Sequence, residues 1–574
     1  VNAHAWSPSP IDRYIPGALE SKCLTPNPQT DRRSWLRRVT YSLIGLPPTR
    51  QEIDSFLNDD SPQAYERVVD RLLASPHYGE RWARHWLDLV RFAETAGHEF
   101  DFEIPQAFEY RDYVIRALNS DLPYDQFVME HVAGDLLENP RRHPLTGINE
   151  SVIGTGFFHL GEGKHSPVDI REEEASRVDN QIDVFSKTFL GLTVSCARCH
   201  DHKFDAISTK DYYALFGYIR SSRYHLADIN PPEPTQSILK EMRQVHDRLN
   251  QLAINRTKKS IQEQAKKLPQ LLLDGFLDQE MARVNPSEGT HWLAAWKALG
   301  SSKQKLTAQQ FQERCQSLIQ EWKRRQNAKE SSTVFADFEK EGYEKWFTTG
   351  PAFGTAPGTA KDVAVNLNQT IPVTKIRGAN QAHSGLLGNR LQGTFRSPTF
   401  IIDSRRISLL VAGQKTKINL IIDGFQRIRS PIYGGLTLPI NSGERMTWRS
   451  IDVSMWKGER AYIECLDQGN GWMSLKKVVF SDGALPPETP PASLIQLLDD
   501  NKLTSREQLA TKYQEWVNDL TQKWSDAPML DQMLTSSAWK RGRLRRGSLR
   551  EGTLRETTEK VRELHGRLAT HRRP

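Results

Sequence analysis

Cys196-Ala197-Arg198-Cys199-His200 concentrates two thiols and an imidazole within five positions. Cys-x-x-Cys-His is the attachment signature of c-type haem, in which each thiol bonds a vinyl group and the histidine lies under the iron. One covalent haem is therefore expected, with Cys196 and Cys199 as thioether residues and His200 as proximal ligand. The nearest downstream methionine, Met242, sits in a charged helix that makes a poor pocket, which favours bis-His or five-coordinate iron. His165, in the loop Gly163-Lys164-His165-Ser166-Pro167, is the first distal candidate, and His98 the second. Arg198, Asp201, His202, Lys203 and Asp205 surround the motif as groups that would orient the histidine or neutralise propionates, or would form a salt-bridged turn. Two other chemistries stay open. Zinc accepts an S₂N₂ set such as Cys196, Cys199, His200 and His202, although adjacent ligands strain a tetrahedron. A redox or structural Cys-x-x-Cys would ordinarily open a helix beside a sheet, and no βαβ pattern surrounds this one.

Other reactive side chains are less organised. Glu94, His98, Glu99 and Asp101 cluster in sequence, with nothing in their spacing to fix an acid–base geometry, so the chain is not assigned as an enzyme. His77 and His85 read as core histidines on the inner side of an aromatic helix. Farther along, Trp346, Trp448, Trp456 and Trp472 are candidates for stacking on sugar rings, with core packing as the competing role for each.

The elements that must position these residues fall into four segments. Residues 1–230 read as an all-α domain of haem type. Ser9-Pro10, Ser61-Pro62 and Ser75-Pro76 pair an N-cap with proline at the first helical position, and Thr49-Arg50-Gln51-Glu52 is a capping box. Tyr78, Trp82, Trp86, Leu89 and Val90 recur at helical spacing and predict an aromatic inner face. A helix from about Glu172 to Leu192 delivers the chain to the cysteines. Residues 231–331 form a charged helical hairpin, or arm, without a sustained heptad. Residues 332–483 break into short strands split by Gly, Asn, Asp and Pro, the pattern of an antiparallel β-sandwich or jelly roll. Asp423-Gly424 and Asp467-Gln468-Gly469 fit hairpin turns there. Residues 484–574 return to helix and end in a basic tail. The expected class is multidomain α + β.

Composition sets outer limits. The 574 residues carry 77 Lys+Arg against 70 Asp+Glu, a net of +7. Residues 538–574 alone hold 12 Lys+Arg against 4 Glu, so the rest is close to neutral. The surplus lies in one nearly aromatic-free tail, which argues for a solvated helical face and against a nucleic-acid partner. No apolar run reaches the roughly 18–20 residues of a membrane span. The five cysteines are too few and too scattered for a disulfide framework.

Several longer runs carry a family resemblance. They are Ile44-Gly45-Leu46-Pro47-Pro48-Thr49, Leu73 to Asp88, Tyr110-Arg111-Asp112-Tyr113, Ala133-Gly134-Asp135-Leu136-Leu137 and Gly191 to Asp205. In this order they resemble the planctomycete-type cytochrome-associated domain of unknown function, over about residues 9–225. The sandwich resembles the galactose-binding-like module inserted in that family. The resemblance implies a cytochrome c domain ahead of this one and a second family-specific domain after it, so the chain reads as a fragment or a shortened member. The expected role is an exported c-type haem protein of the periplasm or cell surface, passing electrons to a redox partner protein and linked to a glycan. A non-redox glycan- or protein-binding protein and a metal-dependent polysaccharide hydrolase are the alternatives.

Overall fold

The computed structural model describes residues 14–97, 101, 103–163, 169–222, 224, 226–230, 232–300, 306–327, 332–366, 369–422, 436–483, 489–499, 503–539 and six positions between 559 and 567. The predicted Ser9-Pro10 cap, the Asp423-Gly424 turn and most of the basic tail lie outside them. The chain is multidomain α + β, with helical N- and C-terminal regions flanking antiparallel sheets. It divides into two compact units. The first comprises Val1–His143, Asn149–Glu162 and Val178–Ser221, and the second Pro144–Ile148, Gly163–Arg177 and Ser222–Pro574. Among the described residues no helix is long and apolar enough to cross a membrane.

After a short helix, Tyr14–Glu20, the first unit packs helices Arg32–Ile44, Arg50–Leu57 and Ala64–Leu73 around Leu36, Phe56, Val68 and Leu72. Gly45 ends the first of them at φ 72°, a left-handed stop that glycine adopts without Cβ strain. Thr49 and Glu52 then form the predicted reciprocal cap. The predicted Ser61-Pro62 cap is corrected: the helix starts at Ala64 without a side-chain cap, because the Ser61 hydroxyl is engaged by Asp59. Ser75 caps Pro76–Leu89 as predicted.

That helix packs against Ala107–Asn119 through its small residues. Gly79 and Ala83 are buried, and a Cβ on Gly79 would lie 2.4 Å from the Ile115 carbonyl oxygen. The Asn119 side chain crosses this contact, accepting from the Gly79 N–H at 2.7 Å and donating to the Pro76 carbonyl at 3.0 Å. The predicted inner face therefore needs correcting. Trp82 is 40% exposed and Leu89 is exposed, since close approach of the two backbones requires the glycine–alanine side to face inward. His77 and His85 are exposed rather than core, and His77 pairs with Glu80 at 2.7 Å.

In the second unit one core gathers Trp292, Trp296, Trp322, Leu509, Tyr513, Val517 and Leu530 from helices before and after the sheets. The hairpin Val363–Val365/Val373–Ile376 joins that core. The sandwich is antiparallel. One sheet runs in the order Thr333–Asp337, Trp472–Ser481, Arg406–Gln414, Gly443–Asp452, with Ala382–His383 also pairing on Trp472–Ser481. The other runs Thr437–Ile440, Thr416–Ile422, Arg460–Gln468, Gln392–Arg396, Phe347–Thr349, with Phe400–Ile401 also on Arg460–Gln468. Ile407, Leu409 and Val411 alternate inward, as do Ile418, Leu420, Ile422, Ile463 and Cys465.

Candidate functional site

The chain approaches the cysteine motif through helix Ile170–Phe185, which widens into a single π-turn, Ser186–Leu190, and stops at Gly191 with φ 65°. The motif opens on a 3₁₀ turn, Val194–Arg198, and Cys199 follows at its end. At three residues per turn, side chains three apart eclipse one another. Val194 and Ala197 accordingly share the inner side, in a core with Val178, Ile182, Tyr212 and Ile219. Cys196 on the turn and Cys199 just past its end are both exposed and both free thiols.

His200 is exposed, and its Nδ1 lies 2.7 Å from the Asp201 carbonyl oxygen. A carbonyl only accepts, so Nδ1 carries the proton and Nε2 keeps its lone pair. That is the tautomer a histidine needs in order to ligate a metal through Nε2. His202 is different. Its Nδ1 accepts from the Asp205 N–H at 2.9 Å and its Nε2 donates to Thr193 Oγ1 at 2.9 Å. With both nitrogens engaged and the side chain 6% exposed, His202 staples the following loop to the start of the motif and is withdrawn from the zinc set. Among the described residues no group of three or more His, Cys, Asp or Glu side chains converges as a metal cage.

The charged neighbours mostly hold the motif in place. Arg198 Nη1 pairs with Asp179 Oδ2 at 3.1 Å, and the Tyr212 hydroxyl donates to the other oxygen of Asp179 at 2.6 Å. Burial pushes the Tyr212 hydroxyl well above its ordinary pKa, and the Asp179 carboxylate adds to the shift. Asp201 Oδ1 accepts from the Thr209 N–H at 2.8 Å. Ser208 and Asp211 form the capping box of Thr209–Arg220. Ser195 Oγ donates to Asp183 at 2.7 Å, and Lys187 binds the other carboxylate oxygen at the same distance. Burial raises the Asp183 pKa, but Lys187 and Ser195 outweigh it and hold the group below the usual range. Lys203 Nζ sits 5.1 Å from the Phe204 ring centre. Phe204 is 84% exposed, and Tyr213, whose hydroxyl donates to the Arg198 carbonyl at 3.3 Å, is half exposed.

The distal candidates His98 and His165 lie outside the described residues. Glu94 pairs with Arg111 at 3.0 Å, and Asp101 accepts from the Gly97 N–H at 3.0 Å, so the structure assigns both to local stabilisation. Met242 is fully buried in the core cluster of the sandwich. Of the four tryptophans, Trp456 and Trp472 are buried, the latter stacked on His383 at 5.0 Å. Trp346 lies flat on Phe395 at 4.5 Å. A sugar needs an open ring face, so Trp456 and Trp472 are corrected to packing roles, while Trp346 is half-buried with one face on Phe395. Trp448 is half-buried on the outer face of its sheet, opposite Leu410.

A second polar arrangement in the first unit was missed from sequence. Trp86 Nε1 donates to the Tyr110 hydroxyl at 3.0 Å, Tyr110 lies 2.8 Å from His131 Nε2, and His131 Nδ1 lies 2.7 Å from the Phe127 carbonyl oxygen. The carbonyl fixes the proton on Nδ1, so Tyr110 donates onward to Nε2 and the chain is neutral throughout. Burial holds His131 down at about 4, against smaller upward effects of the Phe127 carbonyl and Glu130. Beside it, Arg141 grips Glu130 with two bonds of 2.9 Å, and Tyr113 and Ser151 donate to the same carboxylate. The His131 spacing matches an ordinary amphipathic helix, so no sequence signal distinguished it.

Comparison with known proteins places the first unit. Residues 10–224 match the family model described as a protein of unknown function, DUF1549 or PSCyt2, which is the planctomycete cytochrome-associated domain. A protein from Aspergillus rugulosus named putative glycosyl hydrolase ecdE is 30% identical over 162 residues, 26% of this chain. The match spans 21% of that relative's length. No solved structure matches the chain.

Proposed function

We propose that the first unit carries one covalently attached c-type haem on Cys196 and Cys199, with His200 as proximal ligand, in a protein exported to the periplasm or cell surface. The observation that carries this reading is local: two exposed thiols, one on a 3₁₀ turn and one just past its end, followed by a histidine in the tautomer that presents Nε2. The residues present fit the group, because the turn keeps its apolar side chains inward and its sulfurs outward. When bound, the haem supplies one-electron redox chemistry. The protein's part is to hold the ring orientation of His200 through Asp201 and to brace the turn through Arg198–Asp179. A redox partner protein outside this chain completes electron transfer. The sandwich serves attachment to a carbohydrate.

The test is expression of the full chain with export, in a host that matures c-type cytochromes. A pyridine haemochrome spectrum and haem staining of the denatured band are read beside a Cys196→Ala/Cys199→Ala variant. Covalent haem in the parent and none in the variant is expected. A folded parent without haem sinks the reading. The similarity to a protein named as a putative glycosyl hydrolase favours a second reading, a carbohydrate-active enzyme. Release of reducing ends from polysaccharide by the haem-free variant would favour that one.

A further inference from the structure

Trp86, on helix Pro76–Leu89, is half-buried, whereas Tyr110 and His131 are 3% and 0% exposed. One hydrogen bond of 3.0 Å joins the indole N–H to the phenol oxygen, and one of 2.8 Å joins the phenol to His131 Nε2. The line of three therefore runs from a partly open indole into the interior of the first unit. Phe127, Phe157 and Phe189 stand around the imidazole at 4.3, 5.7 and 5.6 Å between ring centres. Phe189 also meets Trp86 at 5.5 Å, and it belongs to the π-turn that leads to the cysteines.

The proton acceptor sets this tyrosine apart. A phenol that loses an electron becomes a strong acid and releases its proton to a base already within hydrogen-bond reach. Burial holds the Tyr110 hydroxyl well above its ordinary pKa, so the proton leaves only together with the electron. His131 Nε2 has its lone pair on the phenol, and Nδ1 donates to the Phe127 carbonyl at 2.7 Å before and after Nε2 is protonated. The neighbouring Glu130 carboxylate favours the imidazolium that results. Tyr113 and Tyr212 also donate to a base, but to Glu130 and Asp179, whose carboxylates are paired with Arg141 and Arg198. Proton uptake there would undo an ion pair, whereas at His131 no existing bond is lost.

We propose that Trp86, Tyr110 and His131 form a radical relay, which takes up an oxidising equivalent at the indole and holds it as a tyrosyl radical inside the first unit. The co-reactant is a one-electron oxidant strong enough to oxidise an indole. It removes one electron from Trp86 and leaves an indole radical cation. Tyr110 then gives one electron to Trp86 and its phenol proton to His131 Nε2. Trp86 is restored, Tyr110 becomes a neutral phenoxyl radical, and His131 becomes an imidazolium. The phenoxyl oxygen accepts from both Trp86 Nε1–H and His131 Nε2–H, so the two hydrogen bonds of the resting chain persist with one proton moved. A one-electron reductant resets the relay: the electron returns to Tyr110 and the proton comes back from His131. The relay needs no axial ligand and stands independently of the haem.

The full chain is tested by laser flash oxidation with photogenerated tris(bipyridine)ruthenium(III) as the probe. An indole radical band that decays as a tyrosyl band rises is expected, the rise slowing at least twofold in heavy water. The tyrosyl EPR signal should last at least tenfold longer than in Tyr110→Phe, where exposed tyrosines such as Tyr14, Tyr124 and Tyr213 remain to react. Tyr113→Phe should keep the long-lived signal, and Trp86→Phe should slow its formation about tenfold. Circular dichroism confirms that the variants are folded. If Tyr110→Phe does not fold, high-field EPR of the parent takes its place: one narrow g-tensor with coupled exchangeable deuterons supports the relay, and the broad spread of exposed tyrosines overturns it. A long-lived signal that survives Tyr110→Phe, is lost in Tyr113→Phe, forms as fast without Trp86 or is indifferent to heavy water overturns the proposal, as does its absence from the parent. The same signal is expected in the Cys196→Ala/Cys199→Ala variant, which separates this outcome from failure of the haem reading.

Discussion

At the scale of single residues, protonation state separates structural histidines from those available for chemistry. His131 is neutral because it is buried and bonded at both nitrogens, whereas His200 is exposed with one nitrogen engaged. This has a pH consequence. An imidazole held at about 4 when folded, against 6.5 when unfolded, binds fewer protons in the native state across that window. Its contribution to stability is complete above pH 6.5 and is lost as pH falls towards 4, up to about 3 kcal/mol for one histidine. Burial also lowers His291, and lowers His383 to about 3, so the second unit shares the trend. Urea midpoints should fall steadily from pH 7 to pH 4.5, and a flat profile would refute the neutral assignment. Tyr110→Phe should destabilise the first unit by about 1–3 kcal/mol, since it leaves the buried His131 Nε2 without its donor. Equilibrium unfolding would measure it.

At the scale of elements, backbone approach decides which face turns inward. A Cβ on Gly134 would lie 1.8 Å from the Ser151 carbonyl oxygen and 2.4 Å from that of Glu130. Neither carbonyl can swing away as a side-chain tip would. Gly134→Ala is expected to cost at least the ~1–3 kcal/mol typical of overpacking, and to disturb the Glu130–Arg141 pair beside it. A drop in melting temperature far larger than for Gly217→Ala, where an added Cβ meets nothing within 4 Å, would establish the point. Comparable effects at both positions would contradict it. Thr49→Ala removes one half of a capping box and should cost about 1 kcal/mol.

At the scale of the whole molecule, distant segments of the chain share one interior. The Tyr513 hydroxyl donates to the Trp292 carbonyl and accepts from the Trp296 N–H, each at 3.0 Å, across more than two hundred residues of sequence. The helices of residues 253–322 thus bury their tryptophans only with residues 494–539 in place. Truncation after residue 483 should expose Trp292, Trp296 and Trp322. A red-shifted tryptophan emission and strong binding of a hydrophobic dye are expected, and a native-like spectrum would show that the hairpin closes its core alone.

The order of helix, strand and helix was legible from periodicity and turn residues, and the strongest caps, Thr49 and Ser75, from local pattern. The Cys196–His200 motif was legible too, because its chemistry depends on spacing within five residues. What lay beyond the sequence was long-range. Gly79 and Ala83 were passed over for Trp82 and Leu89, because hydrophobicity says nothing of how closely two backbones will approach. The Trp86–Tyr110–His131 chain joins residues from separate elements. Register and packing assemble such sets, and no local propensity encodes which strands will lie side by side. The sequence by itself determined the kinds of element and the reactive motif, since these follow from near neighbours. Only the tertiary structure decided which polar groups are neutralised in the interior and which remain exposed to act.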